Sequence, residues 1–242
     1  LKILILGHRG MLGHMVLRYL STKNNLELIT TNERWPSEKF MDFLLDFDGD
    51  FVVNCIGAIH QKTNEFKINV DLPIWLDTIN KKYKIIHPGT DCESDNDEYG
   101  ISKKQASEYL RKKGKDTKII KASIIGPELS SHKSLLDWFL NSKNEVYGYT
   151  KAFWNGITTL QWSKICFDIM NDYYKYDTLN IPTSNCVSKY ELLNTIKDVF
   201  KKNIVIKKNS EVIINKCLIN TNKMPNTDIK NQLKELKKFN EN

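Results

Sequence analysis

The chain of 242 residues is long enough for one large domain or a main domain with a small lobe, and a hydrophobic content of 40% makes it globular rather than disordered. Its net charge of +7 comes almost wholly from scattered lysines, arginine standing only at Arg9, Arg18, Arg34 and Arg111, so no arginine-rich stripe points to nucleic acid. No apolar run approaches the roughly 18 residues that a bilayer crossing needs, no signal peptide is legible, and a cytoplasmic protein without membrane attachment is expected.

In chain order, "KILILG" (2–7) is a short apolar run ending in glycine, as a strand buried on both faces reads. "GMLGHMVLRYLST" carries apolar residues at helical spacing. "LELITT" (26–31) is a second strand, "SEKFMDFLLDF" a second helix and "DFVVNCIG" (50–57) a third strand. A helix around "VDLPIWLDTINKK" leads to the strand "YKIIHPG" (83–89), then "YGISKKQASEYLRKKG" forms a helix with Gly114 as its C-cap. "TKIIKASIIG" (117–126) reads as one further strand. This alternation predicts an α/β fold, a Rossmann-type doubly wound parallel sheet covered on both faces.

After Gly126 the alternation loosens. "SLLDWFLNSK" reads as a helix, "EVYGYT" as a short strand, and "TTLQWSKICFDIMNDYY" and "SKYELLNTIKDVFKK" as amphipathic helices with the strand "TLNIP" between them. "IVIKK" and "KCLIN" are candidate short strands, and a last helix over "TDIKNQLKELKKF" is capped by Thr227 or Asp228, with Ile229, Leu233 and Leu236 on its docking face. The expected division is a dinucleotide-binding domain over 1–125 and 152–182 and a smaller C-terminal substrate-binding lobe over 126–151 and 183–242. Five dispersed cysteines (Cys55, Cys92, Cys166, Cys186, Cys217) lack a CxxC pair, so neither a disulfide framework nor a zinc site is expected. His8, His14, His60, His87 and His132 show no metal-ligand spacing, and no metal is expected.

Gly7, Gly10 and Gly13 follow the first strand and open the first helix, the context in which a glycine motif binds a dinucleotide. Gly7 permits the turn, Gly10 the approach of a pyrophosphate, and Gly13 close packing of helix on strand. The helix N-terminus adds roughly half a positive charge. The second strand ends in Thr30, Thr31 and Asn32, with no carboxylate at once available for a ribose 2′-hydroxyl. Arg9 in the glycine loop, helped by Arg34, suits a 2′-phosphate, so NADPH is expected, with NADH the alternative.

YxxxK sets a phenol and an ammonium on one helix face. It occurs four times, at Tyr19/Lys23, Tyr99/Lys103, Tyr109/Lys113 and Tyr147/Lys151. Position singles out Tyr99/Lys103, which opens the helix after the "KIIHPGTD" strand, at the carboxyl end of the sheet where ligands bind. Thr90 at the same strand end supplies a further hydroxyl.

"GHRGMLG", "FVVNCIGAI", "NVDLPIWL", "HPGTDC" and "YGISKKQASEYL" together resemble the extended short-chain dehydrogenase/reductases, and among them the dTDP-4-dehydrorhamnose reductase family. "NGITTLQWSKI", "LNIPTSNCVSKYELL" and "INKCLINTNK" extend the likeness over nearly the whole chain. The resemblance implies that Thr90, Tyr99 and Lys103 are catalytic. It implies cofactor contacts at Gly7, Arg9, Gly10, Met11, Leu12, Gly13, Asn32, Cys55, Ile56, Gly57, Tyr99, Lys103, Ser123 and Ile125. Substrate contacts are expected at Thr90, Asp91, Cys92, Glu128, Trp154 and Asn155. The implied activity is NADPH-dependent reduction of the 4-keto group of a nucleotide-activated 4-keto-6-deoxy sugar, for an activated, rhamnose-like deoxyhexose used in surface glycans. The implied partners are the nucleotide-sugar substrate and a second copy of the chain, through the helices near 71–81 and 99–113.

Two departures from the family pattern matter. Gly89 replaces a serine of the family's "STD", and Tyr99 follows Asp91 by only eight positions, where the family carries a longer loop. Cys92 stands where the related GDP-fucose synthases carry an epimerisation cysteine, but Glu128 replaces their histidine. A bifunctional 3,5-epimerase/4-reductase is therefore one alternative and a non-catalytic NADP(H)-binding regulatory subunit another.

Overall fold

The computed structural model describes residues 1–60, 62–79, 82–115, 117–130, 133–221 and 224–241. His132 and the end of the expected 71–81 helix, Asn80 and Lys81, lie outside them. The chain begins β1 (Lys2–Leu6), α1 (Met11–Leu20), β2 (Glu27–Thr30), α2 (Glu38–Asp46), β3 (Phe51–Asn54), α3 (Ile68–Ile79), β4 (Lys84–Gly89), α4 (Glu98–Lys113) and β5 (Thr117–Lys121). It continues through β6 (Ile124–Ile125), α5 (Leu135–Asn141), β7 (Glu145–Trp154), β8 (Ile157–Thr158), α6 (Thr159–Asn171) and β9 (Leu179–Asn180). It ends with β10 (Val187–Ser188), α7 (Lys189–Phe200), β11 (Val205–Asn215) and α8 (Ile229–Glu241).

By contact the chain forms two units, Leu1–Lys121 with Ser163–Asn180, and Ala122–Trp162 with Ile181–Asn242. The first holds a six-stranded sheet in the order β2-β1-β3-β4-β5-β9, every pair parallel. This is the doubly wound arrangement, with its switch point between β1 and β3. Strand side chains alternate between faces. Leu4, Leu6, Val52 and Ile85 pack on one face against Phe40 and Leu44 of α2, Leu72 and Leu76 of α3, and Phe47 and Tyr83. Ile3 and Ile5 point the other way and are also fully buried. Ser37 caps α2 by accepting from the Phe40 amide (3.2 Å), and Asp97 caps α4 by accepting from that of Gly100 (2.7 Å).

The second unit is built on a three-stranded sheet, β10-β7-β11. Along β7, Val146, Gly148, Ala152 and Trp154 are buried while Tyr147, Tyr149 and Phe153 stay exposed. Leu192, Leu193 and Ile196 of α7 and Ile229, Leu233 and Leu236 of α8 complete the core. Asp228 caps α8, accepting from the Asn231 amide (3.0 Å), and Gln232 accepts from the Thr158 amide (2.9 Å).

Four expectations are corrected. The stretch 117–126 is two strands, because the chain leaves the main sheet at Ala122 and Ser123 and β6 pairs with β8 instead. Residues 122–125, 152–162 and 181–182 fall in the second unit, where the sequence pattern assigned them to the dinucleotide domain. Val205–Asn215 is one eleven-residue strand with a bulge between Asn209 and Ile213, while "KCLIN" lies outside any strand. Finally, Cys186 and Cys217 form a disulfide, their Cα atoms 6.0 Å apart. Their separation of 31 positions hides a proximity that only the packing of the loops around β10 and β11 creates. Among the described residues no helix is long and apolar enough to cross a membrane, and no group of three or more His, Cys, Asp or Glu could hold a metal ion.

Candidate active site

The glycine turn sits at the switch point of the sheet. Gly7 has φ +72°, the left-handed region, and a Cβ there would lie 2.8 Å from the carbonyl oxygen of Cys55 at the end of β3. At Gly13 a Cβ would stand 2.2 Å from the Gly7 carbonyl oxygen, so only glycine lets α1 seat this closely on the turn. Gly10 is the N-cap of α1 and has no side chain to cover the first turn, which carries no acidic residue. Arg9 is exposed beside it. His8 has a buried Nδ1 without a hydrogen-bond partner, and burial together with the Arg9 charge holds its pKa down. An uncovered helix N-terminus, an adjacent guanidinium and an orphaned polar atom fit an anionic dinucleotide. At the end of β2, Thr31 accepts from the Glu33 amide (3.1 Å), while Asn32 and Arg34 are exposed.

At the ends of β3 and β4, Asn54 and His87 are buried, their Nδ2 and Nδ1 atoms 3.2 Å apart, and Asn54 also accepts from the Ile56 amide (3.1 Å). Burial, with the Lys103 charge behind it, keeps His87 neutral. Cys55 is likewise held as a thiol by burial. Asn69 of α3 bonds both the amide and the carbonyl of Ala58 (2.8 and 3.0 Å) and donates to Ser102 Oγ (3.2 Å). Ser102 in turn donates to the Tyr99 carbonyl (2.7 Å). This chain ties the loop after β3 to α4, and neither Asn69 nor Ser102 was singled out from sequence, where a lone Asn and Ser carry no signal.

Thr90, Asp91, Cys92, Tyr99 and Lys103 converge at the end of β4. Thr90 caps a 3-10 turn over Asp91–Ser94, accepting from the Cys92 amide (3.3 Å) and donating to Asp91 Oδ1 (3.1 Å). The Cys92 thiol faces the same Asp91 oxygen at 3.9 Å. Tyr99 lies in the first turn of α4, its ring packed against those of His60 and Phe66 with centroids 5.4 and 5.8 Å away. Burial first, then the nearby Cys92, Asp91 and Glu93 side chains, pushes its phenol pKa up, while a hydrogen bond with Thr90 pulls it down. One turn later Lys103 is 6% exposed and donates to the Pro88 carbonyl (2.8 Å). Burial lowers its pKa to about 8, against an upward pull from Glu93. Lys113, the corresponding member of the Tyr109/Lys113 pair, is exposed. The i, i+4 spacing is the same, and burial at the strand ends is what separates the two pairs.

The remaining candidates belong to the second unit. Ser123 Oγ accepts from the Trp154 indole (2.6 Å), Trp154 is 3% exposed, and Ile125 is buried in β6. Asn155 bonds the carbonyl and the amide of Leu218 (2.8 Å each), and its own carbonyl accepts from the Ser184 amide (2.9 Å). Trp154 and Asn155, expected to touch substrate, are buried and hydrogen-bonded within this unit. Glu128 accepts from the amides of Lys133 and Ser134 (2.6 and 2.8 Å) and braces the entry to α5.

No protein-family model and no curated protein sequence matches the chain. Solved structures do match. A dTDP-4-dehydrorhamnose reductase from Clostridium acetobutylicum superposes with a TM-score of 0.75 at 17% identity, over 100% of both chains. The dTDP-4-dehydrorhamnose reductase from Bacillus anthracis, in complex with NADP, gives 0.73 at 11% identity over 100% of this chain and 99% of that one. UDP-N-acetylglucosamine 4-epimerase from Bacillus cereus gives 0.73 at 19% identity over 98% of each. The chain therefore has, from end to end, the Rossmann-type fold on which nucleotide-sugar reductases and epimerases are built.

Proposed function

We propose that this protein is an NADPH-dependent reductase of the 4-keto group of a nucleotide-activated 4-keto-6-deoxy sugar, supplying an activated deoxyhexose for surface glycans. The observation that carries this reading is the convergence of Thr90, Tyr99 and buried Lys103 at one strand end of a fold shared with such reductases. Fold alone does not determine chemistry, so the residues must. The glycine turn with Arg9 and Asn32 would hold the dinucleotide, whose nicotinamide supplies the hydride when bound. Tyr99 is protonated at neutral pH, its phenol pKa pushed up by burial, which is the state required to give a proton to the developing alkoxide. The Lys103 ammonium stabilises the phenolate left behind. Thr90 turns its hydroxyl from Asp91 to the ketone oxygen and fixes it for attack.

Reduction is better supported than combined epimerisation and reduction, because the Glu128 carboxylate already serves two backbone amides. The test follows loss of NADPH absorbance with a panel of 4-keto-6-deoxy sugar nucleotides, comparing the native chain with Tyr99→Phe. Turnover that falls by about 100-fold or more in the variant is the expected result. NADPH binding without reduction of any ketone would overturn it in favour of a regulatory subunit.

A further inference from the structure

Beneath the Thr90–Tyr99–Lys103 group lies a buried carboxylate that the mechanism above does not use. Glu93, in the 3-10 turn, is 8% exposed. Its Oε1 accepts from the Thr90 amide (3.1 Å) and from Ser107 Oγ of α4 (2.8 Å). Its Oε2 pairs with Lys121 Nζ at the end of β5 (2.8 Å). One side chain thereby joins the strand end that carries Thr90, the helix that carries Tyr99 and Lys103, and the neighbouring strand.

Gly89 belongs to the same arrangement. A Cβ there would stand 2.9 Å from Glu93 Oε1 and 2.9 Å from the Lys121 Cβ. A side chain before Thr90 would force the Glu93 carboxylate or Lys121 to shift, so the glycine in "GTD" leaves the room that both occupy. A buried ion pair is a weak net stabiliser, since desolvation offsets most of the attraction. What such a pair supplies is direction.

We propose that Glu93, anchored by Lys121 and Ser107, is a positioning residue that holds the Thr90 peptide so that the Thr90 hydroxyl and the Tyr99 phenol address one substrate oxygen. This rests on the reading of that group as the reducing centre. Glu93 touches neither substrate nor cofactor in this role. A displaced Thr90 misaligns the ketone without weakening dinucleotide binding, and a misplacement of about 1 Å can slow chemistry about 100-fold.

The experiment measures kcat, KM and NADPH affinity for Glu93→Ala and Glu93→Gln, together with hydrogen exchange at the Thr90 amide by NMR. Glu93→Ala is expected to lose about 100-fold in kcat at unchanged NADPH affinity, and Glu93→Gln, which keeps an acceptor for the Thr90 amide, to recover part of that loss. The Thr90 amide should exchange about tenfold faster in Glu93→Ala, the equivalent of one lost hydrogen bond. If Glu93→Ala does not fold, Glu93→Leu/Lys121→Leu removes the ion pair with apolar volume in its place and should show the same kcat loss in a folded chain. A folded variant with native kcat, or unchanged exchange at Thr90, overturns the proposal. Absence of ketone reduction by the native chain would instead refute the reductase reading, and Thr90 exchange still decides whether Glu93 anchors that peptide.

Discussion

Replacing Lys103 by methionine should stabilise the protein while abolishing turnover. Lys103 titrates near 10.5 in the unfolded chain and at about 8 in the fold, chiefly because burial penalises its charge. That drop corresponds to about 3 kcal/mol. Between the two values the unfolded chain holds a proton that the folded chain has released, so stability rises with pH across that window. Below pH 8 the folded chain carries the whole cost of the buried ammonium. Lys103→Met removes that cost and the slope with it. It also leaves the Pro88 carbonyl without this donor, a loss of about 1 kcal/mol. The net expectation is a gain of about 2 kcal/mol at pH 6, or about 4–8 °C in Tm for a chain of this size, shrinking towards pH 10.5. The assay is urea unfolding of both proteins without cofactor at pH 6 and pH 10, read as the difference between them. A variant that is less stable at pH 6, or a gap independent of pH, would refute the reasoning.

Two further perturbations separate the glycine turn from the bracing of the second unit. Gly13→Ala places a methyl 2.2 Å from the Gly7 carbonyl oxygen, whereas at Gly10 the nearest atom lies 3.3 Å away. Gly13→Ala should therefore cost about 1–3 kcal/mol of stability and most of the NADPH affinity, with Gly10→Ala affected less; fluorescence titration that finds both at native affinity would contradict this. Asn155→Ala removes both bonds to Leu218 and should destabilise the chain by about 2–4 kcal/mol, with Asn155→Asp intermediate because it keeps only the acceptor for the Leu218 amide. Urea unfolding at native midpoint for Asn155→Ala would mean that the Leu218 loop is held by other contacts.

Much of this molecule was legible from local rules. The glycine turn could be read because strand, turn and helix lie within a dozen residues and each glycine answers a short-range steric demand. Among four equal spacings, Tyr99/Lys103 differs by following a strand end, where ligands bind in this topology, and the structure buries Lys103 there while Lys113 stays exposed. Pairings between distant residues could not be read locally. The break after Lys121 depends on β8 being present to pair with β6, and the Cys186–Cys217 bond on loops 31 residues apart being packed together. Glu93 looks in sequence like any solvated carboxylate of a turn. Its bond to the Thr90 amide is a local capping box, but only the fold places Ser107 and Lys121 around it and leaves Gly89 as the space it needs. Periodicity and turn chemistry act over a few residues and are written in the chain. The choice of partner for a buried polar group is made among residues that share no sequence neighbourhood, and tertiary packing alone decides it.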